Sequence, residues 1–331
     1  MVLLAARIAR SSAVVLVGVA LAAITGAGPA AVATDVSPSP AASSAAEPHP
    51  RIFLIVMENH GYGDLIGDPD APWINAAAAT AGRADAAFGV AHPSQPNYIA
   101  LTSGSTNGVT GDGDVTLDVP NLVDTLESAG RTWSVYMQSL ASCGGDPLAG
   151  SCGDGRYDRK HDPFVSYVDV QSDPARLAHI VDLTQLDADL AAGTVADLVW
   201  IGPDECHNMH GADVCAQPHD RDRVAAGDAF LASTVSAITA SSAWASGAAI
   251  VITWDEDFGD DTGCCGAEPG GGHVLTLVID HDAAAPAASD VPVNHYSLLA
   301  TIQTVLGLDC LGLTCDVETV QPMTDLLATA P

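Results

Sequence analysis

Apolar runs that stop abruptly at acidic or histidine-bearing exits set the pattern of this chain. Residues 52–57 are six consecutive apolar side chains, the signature of a strand buried on both faces of a sheet covered by helices. The run ends at once in Glu58-Asn59-His60, followed by Gly61 and Gly63. Two later runs behave alike. Residues 197–201 lead into Asp204-Glu205-Cys206-His207, and Ala248–Trp254 leads into Asp255-Glu256-Asp257. Segments 132–137 and 273–279 read as further strands. Helices are expected over the Ala-rich 72–81, over 96–103 and over Leu122–Ser128, capped by Asn121 and closed by Gly130. Residues 220–242 form a long amphipathic helix with Val224, Phe230, Leu231, Val235 and Ile238 on its apolar positions, and His295–Leu306 a last one. Strands alternating with helices predict an α/β fold with a mostly parallel central sheet flanked by helices.

In open α/β sheets, ligands bind beyond the carboxyl ends of the strands, so three polar exits predict one site. Adjacent carboxylates such as Asp255 and Glu256 repel unless a cation lies between them. With Glu58 and Asn59 they offer a mainly oxygen donor set for a hard divalent ion. The loop His92-Pro93-Ser94-Gln95-Pro96-Asn97 places a serine just before a helix, where backbone N–H groups favour an anion. A serine hydroxyl needs a base or a metal to become a nucleophile, and no Gly-x-Ser-x-Gly elbow surrounds Ser94. The competing reading of Ser94 is a helix N-cap. His207 and His210 suit metal ligation, proton transfer or phosphate contact, as do His273 and His295 at the mouths of their elements. Lys160-His161 offers anion-binding donors, whereas Asp112-Gly113-Asp114 lacks the later residues of a calcium loop and reads as a solvated turn.

Composition narrows the partners. The 331-residue chain carries a formal charge of −30, which rules against nucleic-acid binding through a broad basic face and against charge-driven adsorption to anionic membranes. Residues 1–33 read as a signal peptide: Arg7 and Arg10, an apolar run too short for a comfortable membrane span, then Ala31-Val32-Ala33. Residues 34–50 are a Ser/Pro/Ala linker, and 51–331 form one domain. A secreted protein without an integral membrane span after cleavage is expected. In that compartment the eight cysteines favour disulfides over a zinc–thiolate site. Proximity suggests Cys143–Cys152, Cys206–Cys215 and Cys310–Cys315, with Cys264 and Cys265 reaching across to others, although spacing alone does not choose among the connectivities.

Taken together, several stretches resemble a known family. They are Glu58-Asn59-His60, His92-Pro-Ser94-Gln-Pro-Asn97-Tyr, Arg159-Lys160-His161-Asp-Pro-Phe164, Pro203-Asp204-Glu-Cys-His207-Asn-Met-His210, Thr253-Trp-Asp255-Glu256 and Asn294-His295-Tyr-Ser. The chain resembles the bacterial phosphoesterase family of secreted acid phosphatases and phospholipases C, within the alkaline phosphatase-like superfamily. The resemblance implies a phosphate monoester substrate, phosphoinositides among the candidates, and a phosphoserine on Ser94. It implies a metal held by Glu58, Asn59, Asp255 and Glu256, with His207 and His273 in acid/base roles. His92, Asn97, Lys160, His161, Asp204, His210 and His295 are expected around the substrate. Asp255 is followed by Glu256 rather than the His of alkaline phosphatases, which favours one divalent ion, a hard one such as Mg, Ca or Mn or else a single Zn, over a zinc pair. The phospholipase branch reads Glu-Asn-Arg where this chain has His60, which favours the phosphatase branch. A phosphodiesterase on the same residues and a non-catalytic acidic metal-binding module are the alternatives.

Overall fold

The computed structural model describes residues 50–152 and 155–328, so the expected leader and all of the linker but Pro50 lie outside it. Nine strands form one sheet. They are β1 (Arg51–Met57), β2 (Gly82–Phe88), β3 (Trp133–Met137), β4 (Ile180–Asp182), β5 (Leu198–Gly202), β6 (Ala248–Trp254), β7 (His273–Asp280), β8 (Ala288–Ser289) and β9 (Val293–Asn294). Their order is β4-β3-β5-β1-β6-β7-β2-β8, with β9 also on β2. From β4 to β6 every neighbour is parallel, as the alternating pattern predicts. β7 departs from it, running antiparallel to both β6 and β2, so the sheet is mixed.

That reversal matters for position. The N-terminal end of β7 falls at the edge where β1, β5 and β6 end, so His273 still reaches the functional edge from the opposite chain direction. β1 sits at the centre, between β5 and β6. Met57 pairs with Trp254, so Glu58 and Asp255 leave the sheet side by side, and Asp255 N–H donates to the Met57 carbonyl at 3.0 Å. The central strands are buried throughout, and Trp200 and Trp254 are among the largest fully buried side chains. Burial of this kind contributes about 1.5–3 kcal/mol per large apolar side chain.

The helices Leu122–Ser128 and His295–Leu306 have the expected bounds, and the Asn121 and Asn294 side chains cap them. The helix expected from Pro96 begins at Ser94, because a proline in the first turn lacks only an N–H that would go unpaired anyway. The long helix ends at Thr239 rather than 242; Ser241 Oγ donates to the Ile238 carbonyl at 2.7 Å and turns the chain. β2 was not foreseen: Gly-Arg-Ala-Asp-Ala-Ala-Phe holds no β-branched residue. Three disulfides follow the proximity pairing, Cys143–Cys152, Cys206–Cys215 and Cys310–Cys315. Cys264 and Cys265 do not reach across but pair with each other, since the other six cysteines find partners close in sequence. Among the described residues no cysteine is free and no helix is long and apolar enough to cross a membrane.

Candidate active site

At the shared edge, three side chains converge on one hydroxyl. Ser94, the first residue of its helix and 1% exposed, places Oγ 3.0 Å from Glu58 Oε2. Oγ also lies 3.2 Å from Glu256 Oε1 and 3.3 Å from Asn59 Oδ1. Asp255 completes the group: its Oδ1 accepts from Asn59 N–H at 2.9 Å, and its Oδ2 is buried without a hydrogen-bond partner. The three carboxylates are therefore stacked at the end of two neighbouring strands, out of water. Burial, reinforced by the charges of Glu58 and Glu256, pushes Asp255 well above the usual carboxylate range. Burial also raises Glu256, against the pull of His92.

A second layer holds this cluster. Burial alone would raise Glu58, yet the charge and hydrogen bond of His161, with Lys160 and Tyr98, bring it down to about 2. His161 Nε2 lies 3.1 Å from Glu58 Oε1, and its Nδ1 3.3 Å from Glu205 Oε1. Tyr98 donates its hydroxyl to Glu58 Oε1. Glu205 Oε2 in turn lies 2.8 Å from His210 Nδ1, a bond that outweighs burial and lifts His210 to about 9. Neither Tyr98 nor Glu205 was singled out from sequence. Tyr98 stands one helical turn after Ser94 and so faces the same way, a spacing that would have found it.

A cavity of about 450 Å³ opens on Ser94 and is lined by Asn59, His92, Asp112, Lys160, His210, Glu256 and Phe258 among others. Lys160 Nζ bonds Asp112 Oδ2 at 3.2 Å, and Asp112 Oδ1 accepts from Gln95 N–H at 3.0 Å. Arg159 pairs with Asp114 at 2.9 Å. Residues 112–114 are exposed, as expected of a solvated turn, but they also pair with Arg159 and Lys160, and Asp112 ties Lys160 to the start of the serine helix. His92 bonds Glu256 through Nδ1 and the Asp260 carbonyl through Nε2, the latter at 3.0 Å.

Other expected residues lie elsewhere. His273 Nε2 bonds the Asp85 carbonyl at 2.9 Å and its ring stacks on Tyr62 with centroids 4.7 Å apart, so β7 delivers it to β2 rather than to the cavity. His207 is held by Asp204 Oδ1 at 2.7 Å and packs toward Phe230, and it does not line the cavity. Asp204 is occupied by His207, by Ser139 Oγ at 2.7 Å and by Cys206 N–H at 3.1 Å. His295 is fully buried, brought down to about 4 by desolvation, and bonds the Asp255 carbonyl at 2.7 Å. Asn97 accepts from Val90 and Ala91 N–H and donates to the Ala91 and Pro93 carbonyls, which uses its amide to shape the loop before Ser94. These five side chains are therefore engaged within the protein and do not line the cavity.

The donor set fits a hard divalent cation. One hydroxyl proton serves only one of the three oxygens around Ser94 Oγ, and Asp255 Oδ2 is orphaned. Such a concentration of buried acceptors calls for positive charge. Among the described residues no three His, Cys, Asp or Glu side chains close on a single point. The set here is mixed, with an amide and a hydroxyl beside the carboxylates, as hard ions accept.

The fold is shared with solved members of the alkaline phosphatase superfamily. A Vibrio parahaemolyticus protein of that superfamily superposes with TM-score 0.55 over 84% of this chain and 70% of its own, at 14% identity. A phosphonate monoester hydrolase of Agrobacterium radiobacter does so with TM-score 0.51 over 82% and 78%, also at 14%. At that identity the likeness concerns the fold alone. The Phosphoesterase family model matches residues 68–309, and the chain belongs to that family. A phosphatidylinositol-3-phosphatase of Mycobacterium tuberculosis is 30% identical over 86% of this chain and 85% of its own. An acid phosphatase of Aspergillus fumigatus is 24% identical over 79% of this chain, which spans 56% of that relative's length.

Proposed function

We propose that the protein is a secreted, metal-dependent phosphomonoesterase that works through a phosphoserine on Ser94. Hydrolysis of a phosphoric monoester is the reaction class of its named relatives. The observation that carries the mechanism is Ser94 Oγ buried among Glu58, Asn59 and Glu256 at the floor of the cavity. Glu58, Asn59, Asp255 and Glu256 would hold the cation, which supplies Lewis-acid polarisation and favours the serine alkoxide.

The chain's own groups do the rest. Ser94 Oγ forms a bond to phosphorus as the ester P–O bond breaks, and its proton passes to the carboxylates around it. Lys160, fixed by Asp112, holds negative charge on the phosphoryl oxygens. His210 lines the cavity with Nδ1 fixed on Glu205, leaving Nε2 to protonate the departing alkoxide. This assigns to His210 the proton transfer expected of His207 and His273. Water then attacks the phosphoserine, His210 recovers its proton from that water, and Ser94 Oγ regains its own as phosphate leaves.

The test is release of inorganic phosphate from an aryl phosphate, with and without chelator, beside Ser94→Ala. Activity lost to both treatments is the expected result. Undiminished turnover by Ser94→Ala would overturn the mechanism, and cleavage of diesters alone would move the protein to phosphodiesterase. The mycobacterial relative makes phosphatidylinositol 3-phosphate the first lipid substrate to try.

A further inference from the structure

Phe258 is the most exposed large apolar side chain among the described residues, at 82%, and it stands on the rim of the cavity that opens on Ser94. Its exposure comes from a built loop. Residues 257–260 make a four-residue turn closed by Asp260 N–H on the Asp257 carbonyl at 3.2 Å. Gly259, at φ +107°, takes the position such a turn reserves for glycine. Both flanks are tied down: Asp257 N–H donates to the Gly271 carbonyl at 2.7 Å, and the Asp260 carboxylate accepts from His273 N–H at 3.1 Å. The Asp260 carbonyl accepts from His92 Nε2, which links the turn to the serine loop. The backbone is thus anchored to the site while the ring has no ring-stacking partner among the described residues.

The lining of this one cavity brings Lys160, His92 and His210 together with Ser94 and the ring of Phe258. A bilayer is a poor occupant for this ring. The Asp261 side chain, three residues on, is 86% exposed, and the chain as a whole carries −30. Sinking the ring into lipid would carry these carboxylates among the headgroups. Building on the phosphatase reading above, we propose that Phe258 is a specificity-determining residue. It stacks on an aromatic or other flat apolar group in the alcohol portion of the ester, while the phosphate lies among Lys160, His92 and His210. Aromatic surface brought together in this way is worth a measurable preference.

The experiment compares two alkyl monoesters of similar leaving-group basicity, 2-phenylethyl phosphate and 2-hydroxyethyl phosphate, on the full-length enzyme with its divalent metal. The kcat/KM ratio of the first to the second should fall about fivefold or more in Phe258→Ala, mainly through KM, and survive in Phe258→Trp. A ratio that stays within about twofold of wild type in Phe258→Ala would overturn the inference. So would an unmoved ratio accompanied by a loss confined to phosphoinositide in vesicles, which would make the ring a bilayer contact. Wild-type enzyme silent on both esters and on an aryl phosphate would overturn the phosphatase reading and this inference with it, whereas silence on both esters with turnover of the aryl phosphate would overturn this inference alone.

Discussion

Glu58 Oε2 and Ser94 Oγ lie 3.0 Å apart at the floor of the cavity, one at the end of the central strand and the other at the start of a helix. Neither can move without the element that carries it. The strand fixes Glu58 beside Asp255, and Asn97 fixes the loop that brings Ser94 to them. Replacing Glu58 by Gln keeps the shape and removes a charge that the proposed cation needs. Glu58→Gln should raise the divalent metal concentration for half-maximal activity by at least about tenfold. Calorimetric titration of metal into the chelator-treated protein checks this independently of turnover; unchanged affinity would remove Glu58 from the donor set.

Asp255 predicts effects of opposite sign on stability and activity. Its carboxyl is pushed well above the ordinary value by burial and by Glu58 and Glu256. A raised carboxyl pKa means that the folded metal-free protein holds a proton the unfolded chain has lost. Its contribution to stability therefore falls as pH rises above the ordinary Asp range, and continues to fall until the folded-state pKa is passed. Asp255→Asn should leave the metal-free protein at least as stable as wild type near neutral pH and flatten that dependence. The same variant should lose the rise in Tm that added metal gives wild type, together with its activity. Thermal melts at several pH values, with chelator and with metal, separate the two effects.

Much of this arrangement was legible in the sequence because it sits where strong apolar runs stop. Glu58, Asn59, Asp255 and Glu256 follow β1 and β6 directly, and a buried parallel strand is the least ambiguous element to read. The histidines were harder. His273 is at the right sheet edge, but β7 is antiparallel and hands its ring to Asp85 and Tyr62. Nothing in an apolar run announces its direction. His207 and His210 stand three residues apart in one loop, and only tertiary placement decides that Asp204 takes the first and Glu205 the second. The turn 112–114 is solvent-facing as read, but its pairing with Lys160 and Arg159 was not legible because those partners are distant in sequence.

That pairing gives a binding prediction. Lys160 is held by Asp112, and the nearby negative charges, Glu58 foremost, outweigh burial and raise its pKa, so it stays charged over the whole working range. Lys160→Met should raise KM for a phosphate monoester and the inhibition constant of inorganic phosphate by about tenfold or more, because both ligands lose the same countercharge. A fall in kcat alone, with phosphate inhibition intact, would place Lys160 outside the phosphate subsite.

His210 allows the sharpest test of the chemistry, because a proton donor matters in proportion to the basicity of the group it protonates. An alkyl alcohol leaves poorly without a proton, whereas a nitrophenolate leaves readily on its own. His210→Gln should therefore lower kcat for an alkyl phosphate by about 10²-fold or more and change the nitrophenyl ester far less. The pH profile supplies the second half of the argument. Glu205 raises His210 to about 9, so the imidazolium is intact through the acidic and neutral range and is lost as pH climbs through that value. Wild-type turnover of the alkyl ester should accordingly fall along an alkaline limb near there, and the limb should vanish in His210→Gln. Glu205→Gln, which keeps His210 in place but removes the charge that raises it, should move the limb to lower pH. Equal losses on both esters, or an alkaline limb that survives in His210→Gln, would assign the proton to another group.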